Sequence, residues 1–164
     1  MENTKKKPKH LWLLIGVPGC GKDTYLTETG IDPKLIVSRD KIRFAILNPE
    51  DNYFDQEKLV FKTFIYEIQE TLNNYNICYA NATNLNERSR LKLLTALARD
   101  DIYINAIYFT TPVATCIERN EKREGRKRVP EQAIYSMAKA IQHPKEDRII
   151  KYTTIVEVNN DLPN

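Results

Sequence analysis

The feature that most constrains this chain is a glycine-rich segment that directly follows an apolar run. Residues 11–17 (LWLLIGV) are uncharged and apolar, which is typical of a strand buried on both faces of a parallel sheet. The run leads into GVPGCGK at residues 16–22, and a helix is predicted from about Lys22 to near Gly30. A Gly-x-x-x-x-Gly-Lys pattern between a strand and a helix indicates a phosphate-binding loop. The alternative is a glycine-rich turn with an accidental lysine.

The residue types of this loop suit a nucleoside triphosphate such as ATP. Its glycines let successive N–H groups turn towards the phosphates, and the start of the helix adds partial positive charge. Lys22 is long enough to reach the β- and γ-phosphate oxygens. The nucleotide-binding residues predicted here are Gly16, Gly19, Cys20, Gly21, Lys22, Asp23 and Thr24.

The expected magnesium site departs from the usual pattern at two positions. Asp23 stands where a Ser or Thr hydroxyl normally binds Mg²⁺, and Thr24 can bind phosphate instead. Asn81 follows the third predicted strand, where proteins with this kind of loop often have an aspartate. Because Mg²⁺ favours carboxylate and phosphate oxygens, we expect Asp23 to bind the ion directly or through water, and Asn81 to bind it through water. The opposing argument is that a carboxylate beside a triphosphate repels it unless the ion lies between them.

The rest of the chain alternates between strand and helix patterns. Further strands are predicted at residues 35–37, 77–80, 102–109 and 152–158, and further helices at residues 40–46, 55–72, 87–99, 113–124 and 130–142. The 55–72 helix is expected to pack its apolar residues, including Leu59, in the core. This order predicts an α/β fold with a parallel sheet of about five strands and helices on both faces. In such sheets the ligand lies beyond the carboxyl ends of the strands.

Length and composition are those of one ordinary soluble domain. The chain has 164 residues and a net charge of +3, and we assign residues 1–10 to a solvated basic tail and residues 11–164 to a single domain. No apolar run is long enough to span a bilayer, so no membrane contact is expected. The chain has three cysteines, an odd number, and they do not have the spacing of a metal site. Both observations favour reduced thiols in a cytoplasmic protein.

Three further motifs, in this order, resemble the kinase domain of phage polynucleotide 5′-kinases, which are P-loop kinases. They are Ser38–Arg43 (SRDKIR), Thr83–Asn86 (TNLN) followed by Arg88 and Arg90, and Arg119–Arg123 (RNEKR) leading to Val129-Pro130. The resemblance covers about residues 11–142. It implies Mg²⁺-dependent transfer of the ATP γ-phosphate to the 5′-hydroxyl end of DNA or RNA. Since the chain ends at Asn164, it also implies kinase activity without the 3′-phosphatase domain that many members carry.

The resemblance also implies roles for residues on the acceptor side. Asp40 directly follows a strand and would be the general base that accepts the proton of the attacking hydroxyl; the alternative is a helix N-cap. Arg43, one helical turn later, would bind the phosphate beside the acceptor hydroxyl; the alternative is an ordinary surface arginine. Val129 would pack against the acceptor's base, and burial in the core would explain it equally well.

A basic segment after the fourth predicted strand has the composition of a lid. Residues 119–128 contain six basic and two acidic side chains, with Gly125 as a hinge. Arg119 and Arg123 lie one helical turn apart and match the lid arginines of the family, and Arg123 would stabilise charge on the transferring phosphoryl group. The alternative is a solvated helix end.

Two other functions stay open at this point. One is a P-loop kinase with a different acceptor, such as a mononucleotide, a small metabolite or a hydroxymethylated base of DNA. The other is a nucleic-acid-binding module in which the two altered metal positions have weakened or removed catalysis. The preference for DNA or RNA, the end structure and the oligomeric state do not follow from the sequence.

Overall fold

A computed structural model describes residues 6–160 and contains one five-stranded sheet. All neighbouring strands are parallel, in the order β2-β3-β1-β4-β5. The strands are β1 (Lys9–Ile15), β2 (Ile36–Ser38), β3 (Ile77–Asn81), β4 (Ile102–Phe109) and β5 (Thr154–Val158). The predicted α/β class and the number of strands are confirmed. Residues 1–5 of the predicted tail and residues 161–164 lie outside the described residues.

Helices cover both faces of the sheet, as predicted. They are α1 (Lys22–Glu28), α2 (Arg39–Ile46), α3 (Glu57–Tyr75), α4 (Glu87–Leu97), α5 (Val113–Glu121) and α6 (Glu131–Ala140). One buried cluster packs α2, α3 and α4 on the sheet through residues such as Ile42, Phe64 and Leu93. A second cluster packs α1, α5 and α6 on the other face through Leu26, Ile117 and Ile134. No helix of the described residues is long and apolar enough to cross a bilayer.

β1 is the central strand and is buried throughout its second half. Leu13, Leu14 and Ile15 are all 0% exposed. Leu13 pairs with Ala80 of β3 and with Ala106 of β4. A large side chain between two small neighbours fills the pleated surface without overlap, which is why this apolar run forms a fully covered strand.

The first strand begins two residues earlier than predicted, because Lys9 has a fixed structural partner. The Lys9 ammonium donates to the carbonyl of Leu72 (3.2 Å) and to Oδ1 of Asn76 (2.8 Å) at the end of α3. The lysine therefore fastens the start of β1 to the neighbouring helix and is not part of a solvated tail.

All six helices lie within three residues of their predicted bounds, and two of them differ from the prediction in ways that the structure explains. α5 ends at Glu121 instead of residue 124, and a short 3-10 turn (Gly125–Lys127) follows. Asn120 explains the early end, because its side chain bonds both the N–H (3.0 Å) and the carbonyl (2.7 Å) of Val129 and turns the chain back. In α3 the prediction that Leu59 packs in the core is wrong. Leu59 is 47% exposed, and the neighbouring Val60 is buried in the core instead.

The sheet opens a crevice at the carboxyl ends of β1 and β3. The helices that follow these two adjacent strands, α1 and α4, lie on opposite faces, which is the arrangement that forms a ligand crevice in open α/β sheets. The loop after β3 is fixed there by Asn84, whose amide donates to the carbonyl of Leu14 (2.7 Å). Arg90, fully buried and paired with Asp147 (2.7 Å), donates in turn to the carbonyl of Asn84 (2.7 Å). The floor of the crevice is therefore rigid.

Candidate active site

A cavity of about 570 Å³ occupies this crevice. It is bounded by the glycine loop and the start of α1, by α2 and the start of α3, by the end of β3, and by α5. Ten residues predicted for the site line it: Gly19, Gly21, Lys22, Asp23, Thr24, Asp40, Arg43, Asn81, Arg119 and Arg123. Gly16, Cys20 and Val129, also predicted, do not line it.

The glycines of the loop are required by close contacts. A Cβ atom at Gly16 would lie 2.3 Å from Sγ of Cys20, and one at Gly19 would lie 2.5 Å from the carbonyl oxygen of Cys116. Gly19 also has a φ of +86°, which favours glycine. Cys20 is only 1% exposed, so its thiol fills the space beneath the loop while its backbone belongs to the loop.

Lys22 lies over the loop at the start of α1. Its ammonium donates to the carbonyls of Gly16 (2.8 Å) and Val17 (3.2 Å). The positive charge is thus held at the wall of the cavity, beside the N-terminus of a helix, where an anion is favoured. This placement suits a phosphate-binding lysine.

Asp23 and Asn81 are direct partners. The Asn81 amide donates to Oδ1 of Asp23 (2.7 Å), although the two residues come from α1 and β3. Because the amide nitrogen faces the carboxylate, the oxygen of Asn81 remains as its acceptor atom. Among residues 6–160 no cluster of three His, Cys, Asp or Glu side chains could hold a metal by itself. Mg²⁺ in such sites takes one or two carboxylates together with substrate phosphates, and Asp23 with Asn81 and Thr24 fits that donor set.

Asp40 does not cap its helix. Ser38 is the N-cap of α2, and its hydroxyl accepts from the N–H of Lys41 (3.3 Å), so the N-cap alternative for Asp40 is wrong. The Asp40 side chain is 51% exposed, and its Oδ1 accepts from the hydroxyl of Tyr53 (2.7 Å) and from the guanidinium of Arg43. Both contacts use Oδ1, which leaves Oδ2 for a further hydrogen bond.

Arg43 is a buried arginine with two carboxylate partners. Its side chain is 6% exposed, and its guanidinium donates to Glu57 through Nε (2.9 Å) and an η nitrogen (3.3 Å). Burial lowers the pKa of Arg43, but its hydrogen bonds to Glu57 and the nearby negative charges of Glu57 and Asp40 outweigh the effect of burial, so the pKa is raised. Arg39 also contacts Glu57 (3.1 Å). The surface alternative for Arg43 is therefore wrong.

Tyr53 completes this cluster. Its hydroxyl accepts from Arg43 (3.0 Å) while donating to Asp40. Burial, and then the Asp40 carboxylate, raise the pKa of Tyr53 well above its ordinary value, so the hydroxyl stays protonated and remains a donor. Neither Tyr53 nor Glu57 was predicted. Tyr53 lies in a turn that follows no strand, and Glu57 offers only the weak signal of an acidic residue in a first helical turn.

The predicted lid contacts both sides of the cavity. Arg119 donates to the carbonyl of Gly19 (3.2 Å) and contacts the carbonyl of Asn160. Arg126 donates to the carbonyls of Leu47 (3.2 Å) and Asn48 (3.1 Å) after α2. The solvated-helix-end alternative therefore does not describe these two arginines.

Asn160 is a third unpredicted site residue. Its amide donates to the carbonyl of Gly21 (2.9 Å), and a Cβ atom at Gly21 would lie 2.5 Å from its Nδ2. The segment after β5 thereby borders the loop. It carries no recognisable pattern in the sequence.

Val129 lies in the core and away from the cavity. It is 1% exposed and belongs to the cluster beneath α5 and α6. The structure thus matches the core alternative for Val129 and offers no surface of it to an acceptor base.

A five-stranded parallel sheet in this order, with a lysine-bearing glycine loop at the end of its central strand, defines a P-loop kinase fold, which implies ATP binding. The chain belongs to the AAA domain family, whose model matches residues 11–144. Among solved structures it is similar to a chain of the Pnkp1/Rnl/Hen1 RNA repair complex (24% identity, TM-score 0.68, 89% of this chain and 48% of that one).

Other solved structures of similar fold are more diverse. A fungal RNA kinase has a TM-score of 0.60 at 15% identity, covering 93% of this chain and 75% of its own. A sugar kinase from Janibacter sp. has a TM-score of 0.63 at 15% identity, with 96% and 88% covered. A search of curated proteins found no match. This chain spans about half the length of the RNA repair chains, and the likeness shows the fold alone.

Proposed function

We propose that this protein is a polynucleotide 5′-hydroxyl kinase that uses ATP and Mg²⁺. The observation that carries the proposal is the pair of Asp40 and Arg43 in the same cavity as the phosphate loop. A carboxylate that can accept a hydroxyl proton lies beside a guanidinium that can bind the neighbouring phosphate of a nucleic-acid end. A small neutral acceptor would need only the first of these groups.

The geometry of Arg43 leaves room for that second role. Four hydrogen bonds to described residues engage its guanidinium, and an arginine has five N–H donors. One donor therefore remains for a phosphate oxygen. Glu57, Asp40 and Tyr53 fix the plane of the guanidinium, which lowers the entropy that binding would otherwise cost.

The proposed reaction is a direct in-line transfer. Oδ2 of Asp40 accepts the proton of the attacking 5′-hydroxyl, while Lys22, Arg119 and Arg123 bind the triphosphate and stabilise its charge. Mg²⁺, when bound by Asp23 and through water by Asn81, supplies further neutralisation of the β- and γ-phosphate oxygens. The residues of the chain thus position the two reactants and carry the charge.

Structural likeness supports the proposal only in part. An RNA repair complex and a fungal RNA kinase share the fold, but so does a sugar kinase. The acceptor therefore rests on the site residues and on the ordered motifs of the sequence. A single domain over residues 11–164 and a cytoplasmic location belong to the same proposal.

The test is transfer of labelled γ-phosphate from ATP to a panel of acceptors. We expect transfer to DNA or RNA oligonucleotides with a free 5′-hydroxyl, and none to the same oligonucleotides with a 5′-phosphate, to mononucleosides or to gluconate. Lys22→Ala should remove transfer, and Asp40→Asn should lower kcat by about 10²- to 10⁴-fold. Asp100→Asn is the matched control. Asp100 is exposed and lies just before β4, at the amino ends of the strands, whereas the cavity lies at their carboxyl ends.

Two results would contradict the proposal. Transfer to gluconate or a mononucleoside in preference to oligonucleotides would assign another acceptor. Oligonucleotide binding without transfer, equal in the wild type and Lys22→Ala, would assign a binding module.

A further inference from the structure

Phe54 presents an aromatic ring to the cavity on the acceptor side. It is 47% exposed and lines the cavity together with Asp40 and Arg43. Of the exposed large apolar residues in the described part of the chain, it alone lines this cavity. Among the polar and charged side chains of this cavity, the exposed face of the Phe54 ring is an apolar surface open to whatever the cavity binds.

The ring is held in place by its neighbours. The Tyr53 and Phe54 ring centroids lie 4.7 Å apart with an interplanar angle of 78°, an edge-to-face contact. Tyr53 is itself anchored by Asp40 and Arg43. The turn is closed by a hydrogen bond from the N–H of Asn52 to the carboxylate of Asp55 (2.9 Å). Phe54 is thus a rigid aromatic group that loses little entropy on binding.

The position of Phe54 matches the chemistry of a nucleic-acid end. Beside the reacting hydroxyl, such an end carries a phosphate and an unpaired base. Asp40 and Arg43 account for the first two groups, and unpaired bases stack on aromatic side chains. Val129, the residue expected to contact the base, is buried, so the base needs another partner.

We propose that Phe54 is the stacking surface for the base of the acceptor's 5′-terminal nucleotide. This inference rests on the proposed function and adds a binding residue to it. Stacking on a phenylalanine is tolerant of base identity, so the protein should accept any of the four bases at the 5′ end while discriminating against an end that has no base.

The test combines one change in the protein with one change in the substrate, as in a double-mutant cycle. Phosphate transfer is measured with two 5′-hydroxyl oligonucleotides that differ only in their terminal nucleotide, which is intact in one and abasic in the other. Phe54→Ala should raise KM for the intact oligonucleotide by about 5- to 100-fold, with kcat little changed. Phe54→Ala should leave KM for the abasic oligonucleotide unchanged, because this oligonucleotide has no terminal base that could stack on Phe54 in the wild type. Phe54→Trp should restore the wild-type KM.

The control variant is Tyr66→Ala, an exposed aromatic of α3 that does not line the cavity, and it should leave both KM values unchanged. An equal effect of Phe54→Ala on the two oligonucleotides, or none on the intact one, overturns the stacking role. If the wild type phosphorylates neither, the proposed function fails instead. Stacking is then measured separately, by fluorescence quenching of a 2-aminopurine at the 5′ end of an oligonucleotide. The wild type should quench this fluorescence and Phe54→Ala should not. Equal quenching by both proteins overturns the stacking role.

Discussion

At Asp23 the loop has a carboxylate where a hydroxyl is usual, and the hydrogen bond from Asn81 (2.7 Å) gives this exchange a physical reason. A neutral amide at the end of β3 can donate to the carboxylate, whereas an aspartate there would repel it. The pair therefore carries one negative charge in total. A related site with serine in the loop and aspartate after β3 carries the same charge at the other position.

This charge exchange predicts a rescue. Asp23→Ser should lower kcat by about 10- to 100-fold, because the proposed magnesium site would lose the one carboxylate that this pair contributes. Asn81→Asp alone should also lower kcat, because two carboxylates would lie within hydrogen-bond distance. The double variant, Asp23→Ser with Asn81→Asp, should retain more activity than Asp23→Ser. The measurement is kcat as a function of Mg²⁺ concentration, and no gain in the double variant would contradict the exchange.

The residues of the site differ in how far the sequence could predict them. Asn81 ends β3 and Asp40 lies two residues after β2, and such positions bring side chains to the carboxyl ends of the strands in a parallel sheet. Tyr53 and Asn160 lie in a turn and a terminal segment without periodicity, so their direction depends on the packing of the whole chain. Val129 was ambiguous for the opposite reason, because a valine suits a core and a binding surface equally well.

Among the elements, the C-terminal end of α5 is the boundary that sequence patterns predict least well. The early end of α5 results from the contact of Asn120 with Val129, nine residues away. Helix propensity is a local quantity and does not include such a contact. By contrast, β4 has the predicted bounds, because its apolar run coincides with its burial.

The hydrogen bonds from Arg126 to the carbonyls of Leu47 and Asn48 should restrict the motion of the predicted lid, residues 119–128. Arg126→Ala removes both hydrogen bonds and the cation–π contact with Phe44. We expect the amides of residues 122–128 to exchange with solvent about 2- to 10-fold faster. Hydrogen exchange followed by mass spectrometry measures this directly.

The neighbouring Lys127→Ala is the control for that change. It removes the same charge from the same turn, and the structure gives Lys127 no hydrogen bond within the described residues. Equal exchange in both variants would show that charge, and not the two hydrogen bonds, restrains the lid.

In the molecule as a whole, both core layers bury ionisable thiols. Cys78 is a residue of β3 in the layer packed by α3 and α4, and Cys116 is a residue of α5 in the layer on the other face of the sheet. Burial raises the pKa of Cys78 from 9.0 to about 12 and that of Cys116 from 9.0 to about 11. Their protonated forms are therefore part of the folded state.

These pKa shifts predict a loss of stability at alkaline pH. Above about pH 9 the thiols of the unfolded chain lose their protons while the folded protein keeps them, so the free energy of unfolding falls as pH rises. The slope approaches about 1.4 kcal/mol per pH unit for each thiol. Urea denaturation between about pH 8 and pH 10 should show this fall in the free energy of unfolding. Tyrosines of the unfolded chain, with an ordinary pKa of about 10, add to the slope near the upper end of this range.

Replacing both thiols provides the comparison. The variant Cys78→Ala with Cys116→Ala should have a lower free energy of unfolding at neutral pH, because each change leaves a small cavity. Its dependence on pH above 9 should nevertheless be shallower than that of the wild type. A slope as steep as that of the wild type would assign the alkaline loss to other groups.

The central place of β1 also limits the order in which the protein can be made. β1 leaves the ribosome before β3 and β4, yet it pairs with both of them. Its apolar residues consequently have no neighbouring strand on either side until about residue 81 has left the ribosome, and lack the second one until about residue 109 has done so. During that interval the nascent chain exposes an aggregation-prone segment. Chaperones that bind extended apolar segments should therefore recognise residues 11–15 before any other part of the sheet.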